Sequence, residues 1–116
     1  GLYKLRTLRQ IGLTMIARVW SARATRENVA RYEAHFRAHV LPELKRIDGY
    51  VGASVLTLGT DEIEIIVSSR WRSLEAVRGF AGDDLERAVV NDEAKGMLLS
   101  WDERVQHYEV RVDDSP

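Results

Sequence analysis

The sequence has 116 residues, a length typical of a single domain. Its 17 Lys and Arg residues nearly balance its 18 Asp and Glu residues, which argues against a nucleic-acid-binding protein because such proteins carry a strong basic excess. The absence of cysteine excludes disulfides, cysteine nucleophiles and zinc–thiolate sites, and it fits a reducing cytoplasm. No apolar run approaches the roughly 20 residues that span a bilayer, so no membrane partner is expected.

The regular pattern of the domain begins near Met15, so residues 1–14 are interpreted as an N-terminal extension. Leucines at positions 2, 5 and 8 leave a short helix, a docking arm or a loosely held terminus as alternatives. Residues 15–21 are rich in β-branched and aromatic side chains, and they predict the first strand.

The first helix is predicted to follow directly. Thr25 is the expected N-cap, and Glu27 places a negative charge in the first turn, where it is favoured. Apolar residues then recur at spacings of three and four and form one stripe: Val29, Tyr32, Phe36, Val40, Leu44 and Ile47. Pro42 predicts a kink or a broken last turn, and Asp48 with the glycine after it ends the helix.

Two strands and a second helix are predicted next. Residues 50–58 and 62–71 form the strands, and the Gly-Thr-Asp segment between them forms a hairpin turn. Ser73 caps a helix that carries Leu74, Val77 and Phe80 and stops near Gly82.

The remaining chain predicts short elements. Asp83, with Glu86 three residues later, is a variant of the capping box and predicts another short helix. Residues 92–99 add a helical turn, residues 100–112 form a fourth strand, and residues 113–116 form a C-terminal tail.

The resulting order is strand, helix, strand, strand, helix, strand. This order is typical of an α+β, ferredoxin-like βαββαβ protomer with a four-stranded antiparallel sheet and helices on one face. The domain is expected to span residues 15–112.

The second face of this sheet is predicted to be too apolar to remain in water. The strands are apolar on one parity and mixed on the other, and large residues such as Trp20, Ile66 and Leu56 would form an exposed patch. We therefore expect a two-fold homodimer that joins two sheets into a barrel. The alternative is a monomer with scattered hydrophobic residues on its surface.

Four segments resemble one known family when they are taken in order and spacing. They are the first strand over residues 15–20, the passage from Pro42 to Tyr50, the segment from Trp71 to Phe80, and residues 107–110. Together they resemble the antibiotic biosynthesis monooxygenase (ABM) family of dimeric α/β-barrel proteins, over about residues 15–112.

The resemblance implies a chemistry. Characterised enzymes of the family oxidise polycyclic aromatic substrates without flavin, haem or metal. The substrate is the reductant, and the enzyme helps to generate an electron-rich anion that reacts with dioxygen. Such a reaction needs an apolar pocket, a base for a phenolic or enolic proton, and donors for the oxyanion.

Two residues are predicted to be catalytic. His107 is the best base because the ordinary pKa of histidine lies near neutrality, and the alternative is a histidine hydrogen-bonded at the dimer interface. Arg18 lies between apolar neighbours in a strand and is the predicted oxyanion partner. Its alternative is an ion pair with Glu109, Glu103 or a carboxylate of the partner subunit.

Five aromatic residues are predicted to line the substrate pocket: Trp20, Tyr50, Trp71, Phe80 and Tyr108. The two tryptophans also offer indole donors. Core packing is the alternative for all five.

Metal and haem sites are not expected. His35, His39 and Glu43 recur every four residues, and histidines at i and i+4 can share a metal ion. Helical geometry nevertheless places His35 about 120° from the centre of the apolar stripe, which predicts an exposed helix flank. The resembling haem-degrading enzymes place a ligating histidine after the start of the second helix, and no histidine lies between Trp71 and Trp101.

The sequence therefore predicts a cytoplasmic, homodimeric, cofactor-independent monooxygenase that acts on an aromatic or polyketide-like small molecule. The alternative function is a non-catalytic dimeric barrel that binds a small ligand or has a structural role.

Overall fold

The computed structural model describes residues 14–114. The predicted extension over residues 1–14 lies outside this range, apart from residue 14. The described elements, in chain order, are β1 (Ile16–Thr25), α1 (Arg26–His35), a π-helical segment (Phe36–Val40), α2 (Leu41–Lys45), β2 (Tyr50–Leu58), β3 (Glu62–Trp71), α3 (Leu74–Ala81), α4 (Asp92–Lys95), β4 (Ser100–Trp101) and β5 (Gln106–Glu109).

The sheet has β1 in its interior. β1 pairs with β3 along its whole length, from Ile16 opposite Trp71 to Thr25 opposite Glu62, and β2 pairs with the far edge of β3. β4 and β5 both pair with the other edge of β1. This antiparallel order, β2-β3-β1 followed by β4 and β5, confirms the predicted ferredoxin-like arrangement.

The prediction of one continuous fourth strand is wrong. Val19 pairs with Gln106 and Ala22 with Trp101, so β1 advances three residues where the opposing chain advances five. The extra residues bulge away from β1 and bond to the loop before α4 instead: the Val105 N–H donates to the Glu86 carbonyl at 2.8 Å. The fourth strand is therefore split into β4 and β5.

The first helical region runs from residue 26 to residue 45, with the π-helical segment in its middle. Its apolar stripe steps by four residues from Tyr32 to Leu44, and in a pure α-helix each such step drifts by about 40°. The wider π turn counteracts this drift, and the Leu41 N–H donates to the Phe36 carbonyl, five residues back. Pro42 follows directly, so the predicted disturbance lies one turn before the proline. Thr25 occupies the N-cap position without a side-chain capping bond.

The second helix begins as predicted. The Ala76 N–H donates to Ser73 Oγ at 3.2 Å, which caps α3, and Gly82 ends the helix with a φ of 79°. Only a glycine adopts this positive φ without strain, so the helix stops here.

The short helix predicted at Asp83 is absent, and residues 83–86 form bends and a turn. Their carboxylates are used elsewhere. Asp83 pairs with Arg78 at 2.8 Å, and both oxygens of Asp84 accept bonds from Arg104 at 2.9 Å. Because these ion pairs hold the loop against α3 and the split strand, the capping geometry does not form.

The core lies between the sheet and the helices, and Trp71, Ile65 and Val77 are its largest fully buried side chains. Trp20 also faces the helices, so its predicted place on the open sheet face is wrong. It is 9% exposed, packs 6.1 Å from the ring of Tyr32, and donates its indole N–H to the Asp102 carbonyl at 2.9 Å.

The alternate side chains of each strand point towards the open face of the sheet. Leu56 is 53% exposed there, opposite the half-buried Ile66, and the half-buried Val19 of β1 lies on the same face. Within residues 14–114, no helix has both the length and the apolar character that crossing a membrane requires.

Candidate functional site

A cavity lies between the helix-covered face of the sheet and the helical layer. Its volume is about 130 Å³, enough for roughly ten water molecules when each needs about 10–15 Å³ of such space. A cavity of about 150 Å³ can hold benzene, whereas pockets for larger ligands begin at about 300 Å³. The cavity, at about 130 Å³, therefore has room for about one aromatic ring, or for part of a larger molecule.

The wall of the cavity is mainly apolar. Every layer of the fold contributes: Trp20 and Val67 from the sheet, Phe36 from the first helical region, Phe80 from α3, and Val89 from the loop before α4. A few polar side chains converge on it, as is typical of ligand sites. They are Arg18, His35, His39, Glu43, Ser69 and Asn91.

Arg18 is the buried charge of this cavity. Its side chain is held by the loop after α3, because Nη1 donates to the Leu85 carbonyl at 2.6 Å and Nη2 to the Arg87 carbonyl at 2.8 Å. Burial lowers the pKa of Arg18 to about 10, with opposing effects of Glu86, which raises the pKa, and Arg87, which lowers it. The guanidinium therefore stays charged at neutral pH.

The remaining contacts of Arg18 leave it able to bind a ligand. Nη1 also donates to His107 Nε2 at 3.0 Å, and the guanidinium carbon lies 5.7 Å from the centre of the Phe80 ring. The ion pairs considered for Arg18, with Glu109 or Glu103, do not form within the described chain. These bonds use three of the five guanidinium N–H donors, so two remain for an anionic oxygen.

His107 contacts Arg18 and is not part of the cavity wall. An arginine can only donate, so Nε2 of His107 must accept and the proton of the neutral ring must lie on Nδ1. Burial, followed by the charge of Arg18, lowers the pKa of His107, and Glu86 opposes this. The imidazole is therefore held neutral behind the guanidinium.

This arrangement predicts a pH-dependent contribution of His107 to stability. The pKa in the folded state lies below the ordinary value of 6.5, so the unfolded chain takes up the proton first. The contribution is complete above pH 6.5 and is lost as the pH falls through the folded-state pKa. His107→Gln keeps an acceptor for Arg18 without a titrating group. Urea unfolding between about pH 5 and about pH 8 should show a weaker pH dependence for the variant, and parallel curves would contradict the prediction.

The five predicted aromatic wall residues divide into two groups. Trp20 and Phe80 line the cavity. Trp71 lies behind Phe80, with ring centres 6.2 Å apart, and donates its indole N–H to Ser69 Oγ at 2.9 Å. Tyr50 packs edge-on against Trp71 at 5.6 Å and lies outside the wall.

Tyr108 lies on the other face of the sheet. It pairs with Ala17, is 51% exposed, and donates its hydroxyl to the Gln106 side chain. The structure thus brings together Arg18, Trp20 and Phe80 around the cavity, whereas Tyr108 points away from it.

His35 is the cavity residue that sequence reasoning placed wrongly. It was expected to be exposed on a helix flank, but it is 4% exposed, and α4 lies against it with a Glu93 oxygen 3.7 Å from His35 Nδ1. Neither ring nitrogen has a hydrogen-bond partner among residues 14–114. Leaving a buried polar group unpaired costs about 1–3 kcal/mol. A single helix pattern could not show this burial, since the covering chain lies more than fifty residues away.

Comparisons with solved structures agree with the fold. A candidate antibiotic biosynthesis monooxygenase from Bacillus cereus has a TM-score of 0.62 at 16% identity, covering 89% of this chain and 99% of that one. A monooxygenase of Streptomyces coelicolor in complex with nanaomycin D has a TM-score of 0.63 at 15% identity, covering 90% of this chain and 93% of that one. At such identities the likeness shows a shared fold.

Sequence comparisons go further. Two uncharacterised proteins of Mycobacterium tuberculosis are each 30% identical over 79 residues, which is 68% of this chain. The chain spans 31% of the length of these relatives. The model of the antibiotic biosynthesis monooxygenase family matches residues 15–91, about two thirds of the chain. This match shows that the chain belongs to the antibiotic biosynthesis monooxygenase family.

Proposed function

We propose that this domain is a monooxygenase that oxidises an aromatic or polyketide-like small molecule with dioxygen, using electrons from the substrate and no organic cofactor. The observation that carries the proposal is a mainly apolar cavity with one buried guanidinium, Arg18, in its wall. Family membership and the ligand-bound Streptomyces coelicolor relative support it.

Arg18 is the proposed oxyanion partner. A phenolic or enolic hydroxyl placed against its two remaining N–H donors would ionise more readily, because a fixed positive charge in a mainly apolar cavity stabilises the anion. Trp20 and Phe80 would hold the flat rings of the substrate between them. The hydroxyl proton would leave to water at the side of the cavity where His39 and Glu43 are exposed.

The oxidation step balances without an external reductant. For a substrate with an activated CH₂ group, the anion gives its electrons to dioxygen, one oxygen atom replaces the two hydrogens at that carbon as a carbonyl, and the other oxygen leaves as water. The protein contributes orientation and stabilisation of the anion.

His107 takes a different role from the predicted base. Because its Nε2 already accepts a bond from Arg18, and because it lies outside the cavity wall, we propose that it is a positioning residue. It would hold the guanidinium in the orientation that contacts the oxyanion.

A homodimer is the proposed assembly. The open sheet face presents Leu56 and Tyr108, each more than half exposed, around half-buried Val19 and Ile66. An apolar surface of this kind is typical of an interface between subunits. Pairing two copies through it would form the barrel expected from the sequence.

Oxygen uptake tests the proposed activity. Anthrones and naphthalene diols should stimulate dioxygen consumption by the full chain, with a product that has gained one oxygen and lost two hydrogens per anthrone. Arg31→Gln is a matched control, since this arginine is exposed on α1 and donates to the Asn28 side chain of the same helix. Saturable binding of these compounds without oxygen uptake would favour the non-catalytic alternative, and the absence of both would contradict a site for such molecules.

A further inference from the structure

Two histidines and a glutamate meet at one side of the cavity. His35 ends α1, His39 lies in the π-helical segment, and Glu93 lies in α4. Their nearest nitrogen and oxygen atoms all lie within 4.8 Å of one another, and His35 Nδ1 is 3.7 Å from a Glu93 oxygen. The two imidazole rings have centres 5.3 Å apart. Elements that are far apart in sequence therefore present three metal-ligand side chains to one point.

The burial of His35 is a second and independent observation. Its side chain is 1% exposed, and neither of its ring nitrogens has a hydrogen-bond partner among residues 14–114. Buried polar groups in folded proteins are almost always paired. The Glu93 oxygen is the nearest carboxylate atom, yet at 3.7 Å it is too far for a hydrogen bond. The imidazole thus points at its cluster partners with an unused lone pair.

We propose that His35, His39 and Glu93 bind one divalent transition-metal ion of the Zn²⁺ class. Two imidazole nitrogens and one carboxylate oxygen form a donor set that suits zinc, nickel or cobalt, whereas calcium and magnesium prefer oxygen ligands alone. In the sequence, Glu43 follows His35 and His39 at the same spacing of four residues. In the structure, Glu93 of α4 is the carboxylate that lies beside the two histidines.

The distances are compatible with this assignment. Ligand atoms at bond lengths of about 2.1 Å around a tetrahedral ion lie roughly 3.4 Å apart. The observed separations of up to 4.8 Å require movements that the exposed side chains of His39 and Glu93 can make by rotation. His35 would stay in its buried place and define the position of the ion.

Such an ion would connect the first helical region to α4, and these two elements lie on adjoining sides of the cavity. Three protein ligands leave a fourth position on a tetrahedral ion. Because His35 and His39 both line the cavity, that position is accessible to water or to an oxygen atom of a bound molecule. The site does not depend on the proposed oxygenase activity.

Calorimetric titration of the tag-free, chelator-treated full chain with ZnCl₂ tests the inference. One Zn²⁺ per chain should bind, CaCl₂ should give no binding, and zinc should raise the melting temperature reversibly. His39→Ala and Glu93→Gln should each weaken zinc binding by more than about 100-fold, since even the loss of an outer-shell partner costs about 10–100-fold. Both residues are exposed, so the variants should fold, which circular dichroism would verify.

Two control variants assign the ligands. His107→Gln removes the third histidine of the chain and should bind zinc like the wild type, and Glu43→Gln should do the same. Zinc binding that is absent from the wild type, or equal in the wild type and His39→Ala, would overturn the site. Binding lost in Glu43→Gln but kept in Glu93→Gln would overturn this ligand set. These readouts measure metal binding alone, so they remain informative if the domain proves inactive towards aromatic substrates.

Discussion

Replacing Arg18 with glutamine should lower substrate-dependent oxygen uptake by at least about 100-fold, the usual effect of removing one preorganised oxyanion donor. The substitution removes the fixed charge from a cavity wall that is otherwise mainly apolar. Arg18→Lys should lose nearly as much oxygen uptake. A lysine keeps the charge, but it lacks the planar fork of donors that contacts two carbonyls and a ligand. Steady-state uptake with an anthrone measures both variants against Arg31→Gln.

The same substitution should destabilise the fold. The carbonyls of Leu85 and Arg87 would lose charge-assisted hydrogen bonds, and a loss of about 3 kcal/mol is expected from bonds of this kind. Activity must therefore be compared at a temperature where urea titration shows each variant to be folded. Phe80→Ala, which keeps the guanidinium and its loop bonds, should weaken ligand binding without this instability at the loop. Full activity in a folded Arg18→Gln variant would rule out the proposed role.

Leu56→Asp should convert the proposed dimer into monomers. A carboxylate within an apolar interface would have to be buried without a partner, which is strongly unfavourable. Sedimentation velocity at micromolar concentration should show a dimer for the wild type and a monomer for the variant.

Leu99→Asp is the matched control for this experiment. Leu99 is 57% exposed, similar to the 53% of Leu56, but it lies before β4 and outside the open sheet face. The control should remain dimeric. A monomeric wild type, or equal dissociation of both variants, would contradict pairing through this face.

The fold could be predicted because the spacing of apolar residues within each long element indicates whether that element is a helix or a strand. The apolar stripe of the first helix and the alternation in β2 and β3 are local signals, and a ferredoxin-like order follows from their sequence. The split of the last strand could not be predicted in this way. It depends on Val105 bonding to Glu86 instead of to β1, a contact between segments that carry no shared pattern.

The site was only partly predictable for the same reason. Arg18 could be singled out as a charge within an apolar strand, and it lines the cavity. His107 was harder to place, because its position opposite Arg18 depends on the bulge between β4 and β5. The burial of His35 depends on α4, whose four residues show no periodicity that would indicate where they pack.

The π-helical segment Phe36–Val40 also bears on how this domain can vary in evolution. A π turn holds one residue more than an α-helical turn, so it is a place where a helix can accommodate an insertion of one residue. Deleting one residue there would restore α-helix and leave the ends of the helical region in place. The same deletion within α1 would rotate all later side chains by about 100°. Length differences of one residue among homologues should therefore concentrate at this turn.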